Sequence, residues 1–533
     1  MTGEKKSRAS HKKSRTGCHT CKIRRVKCDE DKPACQKCLR TGRTCDGYKD
    51  SREWVIIAPP SSIPVSDGFE DDQGRRFFEF FRCQSTLEFS RFFNGDFWGR
   101  LVLQATHSSP AVRHAVIALA SSHEEFKSRS MLALKDIKPS SGEYAYGAQE
   151  YGKAVRHLLR QLSEEGQQGR ATALICGLLF ITFEVLRGND LAALHHLEGC
   201  VNMLNETHDA AGLHGRITTQ ASPAVFENDV EQELLPTFAR LDLEASFYMG
   251  LRSPRLYLDH PGTSEPDHPS PIFSSVLEAS NYLNSIMNRT HKFTRSIGDH
   301  FRYRTIGNAP IDVISEQHSL LSQLSEWESA FDSLMSHYQP SSPHHAPQER
   351  KQISLLQIHH KVSVTTLACT LNVEERAYDA FNPLFGQIVS LAETLHDAAP
   401  SQEPPPHQQP QQRQRQRQQE EEGEKSPPTT FSLETGIVYP LYWAAIKCRD
   451  GRTRRHALAL LRTCAQEGVW VGEIQAGIAK RVVEIEEGEA LDCAGAQGVF
   501  KEAWEIPEWV RVHSVGMELD RMKREAKIVF SQR

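Results

Sequence analysis

Residues 14–48 read SRTGCHTCKIRRVKCDEDKPACQKCLRTGRTCDGY, with six cysteines at the spacing C-x2-C-x6-C-x6-C-x2-C-x6-C. These cysteines are Cys18, Cys21, Cys28, Cys35, Cys38 and Cys45. The last three repeat the first three at an interval of 17 residues. The stretch is therefore an internal duplication in which each half contributes the same number of thiols.

The duplication suggests how the thiols could bind metal. A structural zinc ion takes four ligands, so the thiols of one half are too few. Six thiolates can hold two zinc ions if two sulfurs bridge the ions, and Cys18 and Cys35 are the natural bridges because they are equivalent under the repeat. The other thiols then complete one site each, Cys21 with Cys28 and Cys38 with Cys45. Two zinc ions and six thiolates leave a negative cluster, which nearby basic residues would partly neutralise.

The stretch closely resembles the fungal Zn₂Cys₆ binuclear cluster, a DNA-binding module of transcription regulators. The resemblance covers the six cysteines, the basic run Lys22–Lys27, the turn Lys32-Pro33-Ala34-Cys35 and the final Gly47-Tyr48. It implies a small two-zinc domain with two short helices, the first of which enters the major groove of double-stranded DNA and reads a CGG-type triplet. It also implies a cis peptide bond before Pro33.

The resemblance assigns DNA contacts by position. Arg24 and Arg25 occupy the place of the base-reading pair, and an arginine that donates two hydrogen bonds to guanine discriminates by about 1–3 kcal/mol. Other basic residues would contact phosphates, which position the module without reading sequence. These are Lys22, Lys27, Lys37, Arg40 and Arg43. The alternatives are a zinc knot that binds protein and a redox cysteine cluster.

Charge is distributed unevenly along the 533 residues. Residues 1–50 carry 15 Lys or Arg and 6 Asp or Glu, a net charge of +9, whereas the whole chain carries −5. The remainder is therefore acidic, which confines nucleic-acid contacts to the N-terminal part. Residues 1–13 are predicted to be a basic disordered arm that acts as a nuclear-import signal and adds phosphate contacts. These features predict a nuclear protein.

A membrane location is not expected. The N terminus is polar and basic, unlike a secretory signal. The most apolar run, Ala171–Phe183, is shorter than the roughly 18 residues of a membrane span. Seven further cysteines are scattered through apolar contexts, which favours reduced buried thiols in an intracellular compartment.

Residues 49–74 are predicted to be a linker. Pro59, Pro60 and Pro64 and the lack of a heptad repeat exclude a continuous helix there. Dimerisation through a coiled coil is therefore not expected, and the protein would bind DNA as a monomer or as a homodimer held through its large domain.

Residues 75–515 have helical apolar spacing and are predicted to form a large all-α domain. A helix should begin at Pro110, and Gly188-Asn189-Asp190 should separate two helices. Further helices are expected near 228–249, 274–299, 312–337 and 350–397. A Pro- and Gln-rich tract at 399–428 reads as an inserted surface loop. Residues 516–533 are predicted to be a tail, either a mixed-charge helix or a frayed end.

The large domain resembles the fungal-specific transcription factor domain. The resemblance rests on the LVLQATHSSPAVRHAVIALASSH segment and on the stretch that begins Val438-Tyr439-Pro440. It implies a regulatory helical domain without an established catalytic site. Within that stretch, Arg449, Asp450, Arg454 and Arg455 are predicted to form a buried or interfacial ion-pair network.

Together the patterns predict a zinc-dependent, sequence-specific regulator of RNA polymerase II genes. Control of metabolic genes, including secondary-metabolite genes, is an expectation from the resemblance. Acidic segments with large apolar residues, Phe69–Asp72 and Trp504–Trp509, are candidates for binding coactivators or the transcription machinery. A second hypothesis is that the helical domain binds a small effector. A third is a fused enzyme, but phosphate-loop, dinucleotide and nucleophile-elbow motifs are missing from the sequence.

Overall fold

The chain forms two units, Met1–Asp67 and Gly68–Arg533. The computed structural model describes residues 17–47, 68–93, 95–133, 141–210, 217–218, 229–248, 252–256, 258–259, 271–298, 309–338, 346–397, 430–494, 500, 502–520 and 525–532. The predicted arm at 1–13, most of the predicted linker and the tract at 399–428 lie outside the described residues.

The N-terminal unit, called the cluster here (residues 17–47), contains two short helices, α1 (His19–Ile23) and α2 (Gln36–Leu39). Its buried side chains are those of cysteines rather than of aliphatic or aromatic residues. The peptide bond between Lys32 and Pro33 is cis, as the resemblance implies. The two predicted helices are confirmed.

The second unit, called the body (residues 68–533), is largely helical, which confirms the predicted class. Its first helices are α3 (Asp72–Phe80), α4 (Thr86–Phe89), α5 (Val102–Ser108), α6 (Pro110–Ala133), α7 (Ser141–Glu165), α8 (Arg170–Arg187) and α9 (Asp190–Ala210). Then come α10 (Asp229–Tyr248), α11 (Val276–Phe293), α12 (Ile311–Ser336), α13 (Ala346–Cys369), α14 (Asn382–Asp397), α15 (Val438–Lys447), α16 (Gly451–Thr463) and α17 (Gly472–Ala494).

Short non-α segments connect these helices. The π-helical turns are Phe81–Ser85, Phe97–Leu101 and Thr294–Gly298. The 3₁₀ turns are Gly166–Gly169, Glu375–Phe381, Ala503–Glu505 and Glu508–Val510. Two-residue strands form two small sheets, β1 (Ile217–Thr218) with β2 (Leu258–Asp259), and β3 (Phe431–Ser432) with β4 (Gln466–Glu467) and β5 (Trp470–Val471).

The C-terminal tail is neither a helix nor a frayed end, so that prediction is wrong. Strands β6 (Ser514–Asp520) and β7 (Glu525–Ser531) form an antiparallel hairpin. Val515 pairs with Phe530, and Met517 pairs with Ile528. The side chains of Val515, Ile528 and Phe530 are partly buried, whereas Val529 is 52% exposed, as expected where successive residues of a strand point to opposite faces.

Two helix boundaries follow from local sequence as predicted. Helix α6 begins at Pro110, where the missing N–H of proline costs no helical hydrogen bond. Helix α8 ends at Gly188, whose φ of 76° is left-handed and suits glycine. The segment 350–397 was expected to be one helix, but α13 and α14 are separated by the turn at Glu375–Phe381, and Pro383 stands in the first turn of α14.

Three apolar cores support the body. Helices α6, α7 and α8 surround the first, in which Val112, Val116 and Leu119 are buried as their spacing predicts. Helices α11 and α12 enclose the second, around Trp327. Helices α14 to α17 form the third, and full burial of one large side chain there contributes about 1.5–3 kcal/mol.

Candidate metal centre and nucleic-acid interface

The sulfur atoms of the cluster form two overlapping groups of four. The first group is Cys18, Cys21, Cys28 and Cys35, and the second is Cys18, Cys35, Cys38 and Cys45. Within each group all four sulfur atoms lie within 4.8 Å of one another. Cys18 and Cys35 belong to both groups, so the two residues that the repeat makes equivalent are also the two that both groups share.

The sulfur spacing fits tetrahedral zinc. The Sγ atoms of Cys18 and Cys35 are 3.6 Å apart, and those of Cys18 and Cys38 are 3.8 Å apart. A Zn–S bond of about 2.3 Å predicts about 3.8 Å between two sulfurs of one tetrahedral site. Burial raises the pKa of Cys18 to about 12, so close thiolates require a cation among them. Zinc bound by these thiols would be structural, holding the two halves of the cluster together.

The backbone around the sulfurs repeats the duplication of the sequence. The N–H of Cys21 donates to the Cys18 sulfur at 3.4 Å, and the N–H of Cys38 donates to the Cys35 sulfur at 3.3 Å. The N–H of Cys18 likewise donates to the Cys28 sulfur at 3.4 Å, and its counterpart at Cys35 donates to the Cys45 sulfur at 3.5 Å. These donors stabilise thiolate charge and fix the orientation of the ligands.

Each half also ends in an aspartate that binds the helix of the other half. Asp29 follows Cys28 and accepts from the N–H of Lys37 in α2 at 2.7 Å. Asp46 is its repeat equivalent, and it accepts from the Thr20 hydroxyl of α1 at 2.7 Å. Sequence reasoning missed this pair, although the 17-residue interval between two Cys-Asp dipeptides was a visible signal.

The left-handed backbone positions are duplicated as well. In the second half they are Gly42 (φ 66°) and Gly47 (φ 73°), which accept this conformation readily. In the first half the equivalent positions are Arg25 (φ 54°) and Glu30 (φ 66°). A side chain in this region costs about 1 kcal/mol or more, so the first half carries backbone strain that the second half avoids.

The predicted DNA-contacting residues are basic and accessible, with one exception. Arg24 is half-buried, and its Nη1 donates to the Thr41 hydroxyl at 3.1 Å. The others are exposed: Lys22, Arg25, Lys27, Lys37, Arg40 and Arg43. The cluster therefore presents positive charge on its surface while its thiols are inside, an arrangement that suits phosphate backbones.

The body contains the predicted ion-pair network, fully buried. Arg449 donates to Glu375 at 3.0 Å and to Glu486 at 2.8 Å, and Arg454 also bonds Glu486. Burial by itself would raise the pKa of Glu486, but the two guanidinium groups outweigh it and lower the pKa to about 2. The prediction is confirmed for these arginines, whereas Asp450 instead caps α16 by accepting from the N–H of Thr453.

The network holds the segment at Val512-His513 against helices α15 and α17. The N–H of Val512 donates to Glu486 at 2.7 Å, and Lys447 Nζ donates to the carbonyl of His513 at 2.8 Å. Arg455 adds a more exposed ion pair to Glu487 at 2.7 Å. These contacts explain the network as structural support for the segment that leads into the hairpin.

A hydroxyl, an imidazole and a carboxylate also line up in the body. Ser85 Oγ is 2.8 Å from His123 Nδ1, and His123 Nε2 is 3.1 Å from Glu88. The order matches a nucleophilic triad, but Ser85 and His123 are completely buried and the Phe89 ring lies 4.8 Å from the imidazole ring. No substrate can reach this serine, so the chain of hydrogen bonds supports the first core.

A small cavity lies where α10, α11 and α13 meet the segment before α15. It measures about 40 Å³ and is lined by residues that include Arg240, Glu244, Asn284 and His359. Among the described residues, the Asn284 Nδ2 has no hydrogen-bond partner. A buried water needs about 10–15 Å³ of such space, so the cavity has room for a few waters but not for a metabolite. The effector hypothesis stays a prediction.

Two family models match the chain. The fungal Zn(2)-Cys(6) binuclear cluster domain matches residues 16–55, and the fungal specific transcription factor domain matches residues 81–479. The first match contains the sulfur cluster, and the second covers most of the body. Across the described parts of the chain, no helix is long and apolar enough to cross a membrane. No solved structure matches this chain.

Related proteins carry regulatory names. The chain is 34% identical over 206 residues to the transcription regulator lscL of Purpureocillium lilacinum, a match that covers 35% of this chain but only about half (48%) of that relative. It is 26% identical over 580 aligned positions to the aspercryptin biosynthesis cluster-specific transcription regulator atnN of Emericella nidulans, covering 93% of this chain and 91% of that relative. The chain therefore belongs to the fungal Zn(2)-Cys(6) transcription factors, and it is a DNA-binding transcription regulator with two zinc ions rather than an enzyme.

Proposed function

We propose that the protein is a nuclear regulator of RNA polymerase II genes that recognises CGG-type triplets in the major groove of double-stranded DNA. The observation that carries this proposal is the basic run Lys22–Lys27 at the end of α1, in which Lys22, Arg25 and Lys27 are exposed. Arg24 and Arg25 act as the base-reading pair, because each guanidinium can donate two hydrogen bonds to one guanine. The remaining basic residues contact phosphates: Lys22, Lys27, Lys37, Arg40 and Arg43.

The same proposal assigns the metal ligands. Cys18 and Cys35 bridge two zinc ions, and the two overlapping sulfur groups support this assignment. The terminal ligands are Cys21 and Cys28 for one ion, and Cys38 and Cys45 for the other. Zinc removal should unfold the cluster, because its buried side chains are those of the cysteines and no apolar core would hold its two halves together without the ions.

Selection of random duplex DNA by the full chain tests the specificity. We expect a CGG-type sequence to be enriched with zinc and lost with a chelator. Arg25→Ala should lose selectivity at one base pair. Lys37→Ala and Arg40→Ala should instead weaken binding to all sequences alike and make the affinity less dependent on salt concentration. Unchanged selectivity in Arg25→Ala would refute the base-reading role.

The genes controlled are proposed to be metabolic, including genes of secondary metabolism. The support is the name of atnN, which assigns that relative to a biosynthesis cluster and matches over most of both chains. Deleting the gene for this chain and measuring transcripts across the genome tests the proposal. Changed transcript levels confined to a group of adjacent biosynthetic genes are expected, reduced for an activator and raised for a repressor, and unchanged biosynthetic transcripts would contradict the proposal.

Nuclear entry is proposed to depend on the basic residues of 1–13. Replacing Lys5, Lys6, Lys12 and Lys13 by alanine should shift a fluorescent fusion from the nucleus to the cytoplasm. Unchanged nuclear fluorescence would reject the arm as the import signal.

A homodimer formed through the body is also proposed, since residues 49–74 lack a heptad repeat. Sedimentation of the full chain should give twice the monomer mass. Selection of random duplex DNA by the full chain should recover paired half-sites. A monomer that binds single triplets would exclude the dimer.

Coactivator binding is proposed for the segment around Trp504 and Trp509. These indoles are 72% and 63% exposed, beside acidic residues at Glu502 and Glu505. The other candidate, Phe69–Asp72, has structural roles, since Phe69 packs on Phe78 and Asp71 caps α3. Replacing both tryptophans by alanine should reduce reporter transcription without changing DNA affinity, and equal transcription would refute this surface.

A further inference from the structure

Arg24 and Thr41 occupy the same position in the two repeats of the cluster, and their side chains touch. Their numbers differ by the 17-residue interval that relates the cysteines. Arg24 Nη1 donates to Thr41 Oγ1 at 3.1 Å. A residue that contacts its own counterpart lies at the approximate twofold axis that relates two equivalent halves. This contact therefore marks the axis of the cluster on its basic side.

The Thr41 hydroxyl is oriented by α2. Its Oγ1 lies 2.9 Å from the carbonyl of Lys37 and 3.1 Å from that of Cys38, so the hydroxyl proton is donated to the helix. A hydroxyl that donates in this way keeps lone pairs that can accept from a guanidinium. The sulfur of Cys38 belongs to the metal centre, so the acceptor for Arg24 is fixed by the fold of the second half.

The neighbouring arginine is held differently. Arg25 is exposed, and within residues 17–47 its guanidinium has no hydrogen-bond partner. Its position is constrained instead through its left-handed backbone. Arg24 is half-buried and retains donors at Nε and Nη2 that Thr41 does not use. The two arginines are thus constrained differently. The side chain of Arg24 is held by its hydrogen bond to Thr41, called the brace here, whereas Arg25 is constrained only through its backbone conformation.

We propose that Thr41 is a positioning residue for DNA recognition, which holds Arg24 so that its free donors face the nucleic acid. The inference rests on the proposed function, in which Lys22–Lys27 docks on DNA. Ordering a long side chain on binding reduces affinity, and a side chain ordered beforehand avoids that loss. Thr41 acts through Arg24 and makes no base contact of its own.

Three variants of the full chain test the brace by fluorescence anisotropy with the selected duplex. Thr41→Val removes the hydroxyl and keeps the shape, and we expect three- to tenfold weaker binding. Thr41→Ser keeps the hydroxyl and should bind within twofold of the original. Thr44→Val is the matched control, because Thr44 is also exposed, its side chain has no hydrogen bond among residues 17–47, and its variant should bind unchanged.

A double-mutant cycle separates positioning from a general structural role. If Thr41 acts through Arg24, then Thr41→Val should cause no further loss in an Arg24→Ala background. A structural defect would lower affinity in both backgrounds by the same factor. The salt dependence of binding should stay unchanged in Thr41→Val, because no phosphate contact is removed. Zinc content is measured for each variant, and Thr41→Ala replaces Thr41→Val if the latter loses zinc.

The results distinguish the brace from the function on which it rests. The brace is overturned if Thr41→Val binds DNA as tightly as the original chain. It is also overturned if Thr41→Val lowers the affinity by the same factor with and without Arg24→Ala. If the brace fails but Arg25→Ala loses sequence selectivity, the proposed DNA-reading function still stands. Failure of the full chain to enrich any sequence overturns both.

Discussion

The cluster and the body both bury negatively charged groups, and they neutralise them in different ways. In the cluster, six thiols lie together and the only buried side chains are those of cysteines among residues 17–47. In the body, Glu375 and Glu486 are completely buried against Lys447, Arg449 and Arg454. The first unit takes its positive charge from metal ions, and the second takes it from its own side chains.

Size explains the difference. A unit of fewer than about 40 residues buries too little apolar surface to fold by itself, so it needs a metal or disulfides. The body has three apolar cores that hold its helices in place, and those helices can carry guanidinium groups to the carboxylates. A dissociable ion therefore stabilises one unit, whereas covalently attached charges stabilise the other.

The largest expected effect is loss of the metal centre. Cys18→Ser removes a sulfur shared by both groups of four, so we expect loss of bound zinc and no measurable DNA binding. Thermal unfolding of the body should stay unchanged, since it forms a separate unit. Cys83→Ser is the control, because Cys83 is exposed and lies outside the cluster. Retention of two zinc ions by Cys18→Ser would show that this sulfur does not bridge.

The corresponding change in the body is Glu486→Ala. It leaves Arg454 buried without its close carboxylate partner and leaves Arg449 with Glu375 alone, which should lower the free energy of unfolding of the body by about 3–5 kcal/mol. Urea denaturation measures this, and zinc content should not change. Glu484→Ala removes exposed ion pairs from the same helix, which water and salt screen, and should leave the stability almost unchanged. If both variants lowered the free energy of unfolding equally, burial would not be the reason that the Glu486 ion pairs stabilise the body.

Acidity should weaken the network in the body. The pKa of Glu486 falls from an ordinary 4.5 to about 2 in the folded protein, so its contribution is complete above pH 4.5 and is lost as the pH falls toward 2. The stability difference between the original chain and Glu486→Gln should therefore shrink from pH 5 to pH 3. Urea denaturation at several pH values measures it. A difference that stays constant over this range would exclude ionised Glu486 as the source.

The smallest effect concerns the two halves of the cluster itself. Arg25→Gly should be about 1 kcal/mol more stable than Arg25→Ala, because only glycine accepts φ of 54° without strain. Gly42→Ala should destabilise the second half by about 1 kcal/mol for the same backbone reason, since an added Cβ there meets no atom within 4 Å. Resistance of zinc to a competing chelator measures both. Identical resistance of the two Arg25 variants would argue against strain at this position.

Local sequence determined much of what the structure contains. Cysteine spacing predicted the metal centre, the repeat predicted the shared sulfurs Cys18 and Cys35, and the family resemblance implied the cis bond before Pro33. Apolar periodicity predicted most helices of the body. These features depend on residues within one or two turns of each other or on one short repeat, so their physics is visible in the sequence.

Tertiary structure alone decided which distant groups meet. Arg449 was a visible candidate for an ion pair, but its partners Glu375 and Glu486 stand 74 and 37 residues away among 68 acidic residues. The hairpin at 514–531 likewise replaced the expected tail once its apolar face packed on the third core. Partner choice at such separations depends on how helices pack, because desolvation makes a buried charge stable only where the fold also brings its counter-charge.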